Sequence, residues 1–218
     1  FGADLINVAA GNGDVVAVGD NGSVTYGADS IVITSTDVSA ATAGADTITT
    51  QGGNDYVIGG FDADIINTND GYDIIIGDQG TMTFTADSQL VSIVGVVDDV
   101  NDGIDAINAG GGRAVIIGGG KGDDIDSTSS AANNVIIGDG GTATFDDSGA
   151  VITASSAVES LGGNDDIDIV AGSSVIFGGF GADEIDVAAG NGDVVAVGDN
   201  GSVTYSADSI VITSTDVS

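Results

Sequence analysis

The chain has 218 residues, of which 34 are acidic and two basic, for a net charge of −32. That balance excludes nucleic acid and anionic membranes as partners, while the lack of Cys and His excludes disulfides, thiolate sites and the commonest zinc ligand. A hydrophobic share of 42% excludes a disordered acidic tail, and the apolar runs are too short and too often broken by Gly and Asp to insert in a membrane. Only Glu159 and Glu184 are glutamates. The acidity is therefore Asp, a short carboxylate that suits hard cations when it stands in Gly-rich turns.

In chain order, the sequence is a set of nested repeats. Residues 1–39 return as residues 180–218 with three differences, Leu5/Glu184, Asn7/Asp186 and Gly27/Ser206. The anchor Gly-Asp-x-Gly begins at Gly19, Gly77, Gly138 and Gly198, at nearly even intervals. We therefore divide the chain into a partial unit 1–44, full units 45–103 and 104–163, and an incomplete unit 164–218, together one continuous solenoid. Because residues 1–39 begin in mid-motif, the segment is expected to be an excerpt from a longer array.

A finer period runs inside each unit. An 18-residue step separates Asp46 from Asp64, Asp105 from Asp123, and Asp165 from Asp183. The apolar partners keep the same step: Ile48 and Ile66, Ile107 and Ile125, Ile167 and Ile185. Two nonapeptides make up this step, one full turn of a flattened coil with a strand on each side. Tyr56-Val57-Ile58 and Val175-Ile176-Phe177 are such second strands. Their inward positions are expected at Val16, Val57, Ile75, Ile116, Ile136, Ile176 and Val195. Strands stacked one turn later form parallel sheets, which tolerate no Pro in their interior, and the chain has none.

The opposite turn is less regular. Asp55 and Asp73 keep the 18-residue step, but the equivalent positions are Ala114 and Asn134, then Ser174 and Asp193. Insertions around Ser127–Asn134 and Val187–Asp193 break the spacing. After each Gly-Asp-x-Gly the nonapeptide stops. Ser23–Tyr26, Thr81–Phe84, Thr142–Phe145 and Ser202–Tyr205 alternate polar and apolar residues. A turn such as Ala86-Asp87-Ser88 or Asp146-Asp147-Ser148 leads to a second apolar run, for example Ser30-Ile31-Val32-Ile33. This third, longer turn has no obvious metal ligands, and its register leaves two readings open, a bulge from the coil or a hairpin.

The motif itself is clearest at Gly178-Gly179-Phe180-Gly181-Ala182-Asp183-Glu184-Ile185-Asp186, which fits G-G-x-G-x-D-x-U-x with a large apolar residue at U. It resembles the nonapeptide of the RTX (repeats-in-toxin) family, the hemolysin-type calcium-binding β-roll. The alternation with a longer turn is similar to the arrays of giant bacterial surface proteins and adhesins. The resemblance implies an all-β fold, a right-handed parallel β-solenoid (β-roll) of units of about 60 residues with about three turns each. Eleven such turns would span roughly 50 Å. It further implies Ca²⁺ held between successive turns by turn carbonyls and by Asp4, Asp46, Asp64, Asp105, Asp123, Asp165 and Asp183. Secretion as an unfolded chain that folds on meeting external calcium is implied as well, with an extracellular or bacterial cell-surface location. Asp62 and Lys121 depart from the pattern, standing where the motif has its fourth-position Gly.

Elementary electrostatics also asks for a cation. Two ionised Asp stacked about 4.8 Å apart repel by roughly 3 kcal/mol at an effective dielectric near 20. A dication between them turns repulsion into cohesion, and oxygen-only ligands select Ca²⁺. Bridges are expected from Asp46 to Asp64, Asp105 to Asp123 and Asp165 to Asp183, with Asp55 and Asp73 as further ligands on the other edge. Gly11-Asn12-Gly13 and Gly120-Lys121-Gly122 are too fragmentary for phosphate loops. The glycosylation sequons at Asn21 and Asn200 sit inside the repeat turn. Arg113 and Lys121 are read as solvent charges. With the carboxylates accounted for by turn positions, the chain is not expected to be an enzyme.

The leading functional expectation is a calcium-stabilised structural segment: a stiff rod, stalk or filament of a long secreted or cell-surface protein. It would extend by head-to-tail self-association or by continuation of the array. The alternative is an adhesin module that binds glycan or ice through one solenoid face. The residues after each inward Ile, namely Asn7, Thr49, Asn67, Asn108, Asp126, Asp168 and Asp186, form a polar row but not the Thr array that ice requires.

Overall fold

In a computed structural model the described residues are 2–8, 11, 13–37, 43–98, 100–128, 133–157, 160–170, 172–188 and 192–215. Asn12 and parts of both expected insertions lie outside them. Among the described residues the structure is all β, with 22 strands in three sheets.

The first sheet, A, is parallel and contains β1 (Leu5–Asn7), β5 (Thr47–Thr49), β7 (Ile65–Asn67) and β11 (Ala106–Asn108). It continues with β13 (Asp124–Ser127), β17 (Asp166–Ile169) and β19 (Glu184–Val187). Sheet B, also parallel, contains β2 (Val15–Val18), β6 (Asp55–Ile58), β8 (Gly71–Ile76) and β12 (Gly112–Ile117). Its remaining strands are β14 (Asn134–Ile137), β18 (Ser174–Phe177) and β20 (Val194–Val197). The chain passes from an A strand to a B strand and back, so each A–B pair is one rung.

After β2, and after every second rung from there, the chain leaves for sheet C. This sheet is antiparallel and built of hairpins: β3 (Gly22–Tyr26) with β4 (Ser30–Ser35), and β9 (Gln79–Thr85) with β10 (Leu90–Val96). The others are β15 (Gly141–Phe145) with β16 (Val151–Ser156), and β21 (Gly201–Ser206) with β22 (Ser209–Ser214). Each hairpin pairs with the next through β4–β9, β10–β15 and β16–β21. The longer turn is thus a hairpin, and the open choice of register is resolved. It adds no parallel rung, so the expected three turns per unit become two rungs plus a hairpin. Sheets A and B each have seven strands instead of the eleven turns expected, and at about 4.8 Å per strand they span roughly 30 Å.

The layers stack as A, B, C with a core on each side of B. Between A and B lie Ile48, Ile66, Ile107, Ile125 and Ile167, facing Val57, Ile75, Ile116, Ile136 and Ile176. Between B and C lie Ile58, Ile74, Ile76, Val115, Ile117 and Phe177, packed on Ile33, Met82, Phe84, Ile93 and Phe145. Sheet B is buried on both faces, which is why Ile74-Ile75-Ile76 and Val115-Ile116-Ile117 read as unbroken apolar runs.

Two expectations need correction here. Five of the seven inward positions on sheet B are as expected, but Val57 pairs with Ala17, not Val16, and Ile176 pairs with Ala196, not Val195. Val16 is 44% exposed. In Val-Val-Ala-Val every residue is apolar, so nothing local picks the face, and a slip of one residue inverts it. Arg113 is no stray solvent charge. Its guanidinium lies 4.4 Å over the Tyr72 ring and 5.3 Å from that of Phe145, and its Nε donates to the Asn133 carbonyl at 2.9 Å.

Candidate metal centre

Each A strand is entered through a turn whose last residue is the motif Asp. At the fourth motif position Gly181 has a positive φ of 149°, and Asp62 and Lys121 adopt 66° and 67° there, whereas Gly44, Gly103 and Gly163 do without it. The turn geometry therefore survives both departures, at the steric cost of a Cβ in that region.

These turns stack the predicted aspartates in one column. The N–H of Asp4 donates to Asp46 Oδ1 at 2.7 Å, that of Asp46 to Asp64 at 2.7 Å, and that of Asp64 to Asp105 at 2.8 Å. The ladder continues from Asp105 to Asp123 at 2.9 Å, Asp123 to Asp165 at 2.8 Å, and Asp165 to Asp183 at 3.0 Å. All seven expected residues are brought together. The column also crosses the first three hairpins, so the three pairs expected from the 18-residue step are parts of a continuous row.

The second oxygen behaves differently. Oδ2 of Asp46, Asp64, Asp105, Asp123, Asp165 and Asp183 is buried and has no hydrogen-bond partner. Each faces the Cα of the first motif glycine one rung back, for example Gly59 for Asp64 and Gly118 for Asp123. A Cβ on that glycine would collide with the Asp oxygen and with the carbonyl oxygen of the next rung's glycine, Gly77 or Gly138 in these two cases. An anionic oxygen and a carbonyl oxygen thus converge on space that only Gly leaves open. Among the described residues no three carboxylates converge to hold a metal by themselves, so backbone carbonyls belong to the donor set. An all-oxygen set with an orphaned carboxylate oxygen fits a hard dication such as Ca²⁺.

Burial dominates the column's electrostatics. It pushes Asp64 up to about 9, with the Asp105 charge adding to it. Asp105 and Asp165 rise to about 7, and Asp46, Asp123 and Asp183 also move up, in each case chiefly through desolvation. Without a cation the column is a poor place for negative charge.

Comparison with protein families agrees with this geometry. The family model described as RTX calcium-binding nonapeptide repeat (4 copies) matches residues 34–66 and 58–81. Residues 34–81 thus match RTX calcium-binding nonapeptide repeats. RTX repeats bind calcium, and the matched stretch contains Asp46, Asp64, Asp55 and Asp73. No curated protein and no solved structure matches the chain.

Along the other edge of the rungs, Asp55 and Asp73, the further ligands expected there, accept hydrogen bonds on both carboxylate oxygens. Asp55 Oδ1 accepts the Val15 N–H and Asp73 Oδ1 the Asp55 N–H, each at 3.0 Å. Their Oδ2 atoms accept the hydroxyls of Thr50 at 2.5 Å and Thr68 at 2.8 Å. In the next unit Asn134 Oδ1 accepts the Ala114 N–H at 3.0 Å, so an amide serves as well as a carboxylate. This edge is held by hydrogen bonds within the protein.

Three carboxylates beside the column were missed. Asp20, Asp78 and Asp139 belong to the Gly-Asp-x-Gly anchors and occupy the second motif position. Asp78 accepts from Gly103 N at 3.0 Å and Gly120 N at 2.7 Å, and Asp139 from Gly163 N at 2.9 Å and Phe180 N at 2.5 Å. Asp20 accepts from Phe61 N at 2.8 Å. Each ties the turn where the chain leaves for a hairpin to the nonapeptide turn of the next rung. Burial lifts Asp20 to about 6 and Asp139 to about 8, and raises Asp78 well above the usual range. Their recurrence at nearly even intervals was visible, but served only to mark the repeat.

Proposed function

We propose that this chain is a calcium-stabilised structural segment of a secreted or cell-surface protein, a right-handed parallel β-solenoid acting as a stiff rod, stalk or filament. The observation that carries the reading is the column of six buried, unpartnered Asp Oδ2 atoms, each beside a glycine carbonyl. Asp46, Asp64, Asp105, Asp123, Asp165 and Asp183 hold Ca²⁺ with those carbonyls, and Asp4 begins the row. The bound cation supplies the positive charge that lets stacked carboxylates stay ionised in a buried row. The residues hold and orient it, and no catalytic step is involved. Because the ligands converge only after folding, binding energy is folding energy. Such a chain stays unfolded where calcium is scarce and stiffens outside the cell. The proposed units 1–44, 45–103, 104–163 and 164–218 then work in series, with head-to-tail extension along the axis.

The test is a circular dichroism melt of the chain with calcium and with EDTA. The expected result is loss of most of the β signal in EDTA and its recovery when calcium is restored. An unchanged spectrum and melting temperature in EDTA refutes the reading.

A further inference from the structure

Sheets A and C form the two broad outer faces, and their chemistry differs. On sheet A the outward positions of β13, β17 and β19 are stacked acids: Asp126, Asp168 and Asp186 stand in register, beside Asp124, Asp166 and Glu184. On sheet C the central outward positions carry no charge. In β9 Met82 and Phe84 are buried in the core, while Thr81 and Thr83, which alternate with them, face out, half-buried.

The strand pairing carries that alternation across the sheet. One outward rank runs Thr34, Thr81, Val94, Thr142 and Ser155 from β4 to β16. The next rank runs Val32, Thr83, Ser92, Thr144 and Thr153 across the same strands. The flanking strands continue both, with Ser23 and Thr25 on β3 and Ser202 and Thr204 on β21. Neighbouring ranks are about 6.8 Å apart along a strand and neighbouring strands about 4.8 Å apart. The hydroxyls are also ordered among themselves: Thr34 and Thr81 Oγ1 lie 2.8 Å apart, and Thr144 and Thr153 Oγ1 2.7 Å. Thr is stiff at χ1, so this is a fixed pattern of hydroxyls and methyls. Each unit adds two strands to each sheet, so the ranks advance in step with the rungs.

The chemistry of this face narrows its partner. A neutral patch on a chain of net charge −32 offers nothing to ions or charged polymers. Protein interface cores rely on aromatic residues, Met and Arg, and none stands in these ranks. Sugar rings stack on aromatic faces, and membrane surfaces call for Trp, Lys and Arg. What remains is a ligand that repeats in two dimensions, presents hydrogen-bonding groups everywhere and needs no pocket. A surface of frozen water has those properties, with oxygen repeats near the spacings of the two ranks. A rigid array meets it with little ordering cost.

We infer that the outward face of sheet C is an ice-docking surface, on which the hydroxyls of Thr81, Thr83, Thr142, Thr144 and Thr153 order the first layer of water. The polar row on sheet A lacks the required threonines because they lie on the hairpins, whose register the folded structure supplies. This inference goes beyond the calcium reading and depends on it only in requiring a folded chain.

The experiment grows ice slowly from a solution of the calcium-loaded chain and measures its partition into the crystal, with circular dichroism confirming the fold. The wild type is expected to enter the ice and to suppress recrystallisation. The double variant Thr83→Lys/Thr144→Lys is expected to be excluded while keeping its spectrum and calcium stoichiometry, and Thr49→Lys on sheet A to behave as wild type. Exclusion of the folded wild type from ice overturns the inference whatever the variants do, as does equal uptake of the double variant. Retention on crystalline cellulose or chitin without ice uptake assigns the face to a polysaccharide and overturns it too. A dimer seen by sedimentation and broken by the same double variant assigns the face to a second copy, and the inference falls in that case as well. Loss of the β signal in the EDTA melt bears on calcium alone, so the two readings fail separately.

Discussion

The two oxygens of Asp64 have different partners, and the difference predicts how substitutions behave. Oδ1 accepts the Asp46 N–H, whereas Oδ2 has no protein partner. Asp64→Asn keeps an acceptor for the N–H and removes the charge, so it should lower the calcium stoichiometry by about one site while leaving the metal-free chain no less folded than the wild type. Calorimetric titration beside circular dichroism of the chelated chain reads both effects, and an unchanged stoichiometry would place the cation elsewhere. The column also sets a pH dependence. Burial raises Asp64 to about 9 and Asp105 and Asp165 to about 7, above the ordinary carboxylate value of 3.8. Between these values the folded state binds more protons than the unfolded one, so metal-free stability is present below about pH 4 and is lost as pH rises through 7 to 9. The chelated, desalted chain should therefore show more β signal in circular dichroism at pH 5 than at pH 8. The opposite order would show that the column is not buried as described.

At the scale of elements, the hairpins are attached through the Gly-Asp-x-Gly turns. Asp78→Ala removes the acceptor of the Gly103 and Gly120 N–H groups, which are then buried without a partner. Each costs about 1–3 kcal/mol, so chemical denaturation in calcium should show a loss of roughly 2 kcal/mol or more. A loss under about 0.5 kcal/mol, the level of an ordinary surface substitution, would mean that the hairpin exit is held by other contacts. The parallel strands were legible because their signal is local and periodic: an Asp and an Ile return at an 18-residue step, as in Asp46/Ile48 and Asp64/Ile66. The hairpin strands were legible as strands, since Thr81–Phe84 alternates, but not in their pairing. Alternation fits a parallel or an antiparallel neighbour equally well, and the choice depends on Met82 and Ile93 both packing onto sheet B.

For the whole molecule, contacts run between neighbouring rungs, as expected of a quasi-one-dimensional stack. Asp64→Ala should therefore lower hydrogen-exchange protection in β5–β8 and their neighbours while β17–β20 keep theirs, and uniform loss across all units would instead mean one cooperative block. The sequence alone determined the all-β class, the unit length, the 18-residue rung and the seven aspartates of the column. Each is a short-range regularity in which turn chemistry and side-chain alternation leave one answer. The tertiary structure alone decided that sheet B is buried on both faces, that Ala17 rather than Val16 faces the inner core, and that Asp55 and Asp73 are engaged by Thr50 and Thr68. It also decided that hydroxyls from four separate hairpins line up on one neutral face. Those outcomes depend on which distant surface covers a segment, and no stretch of local sequence carries that information.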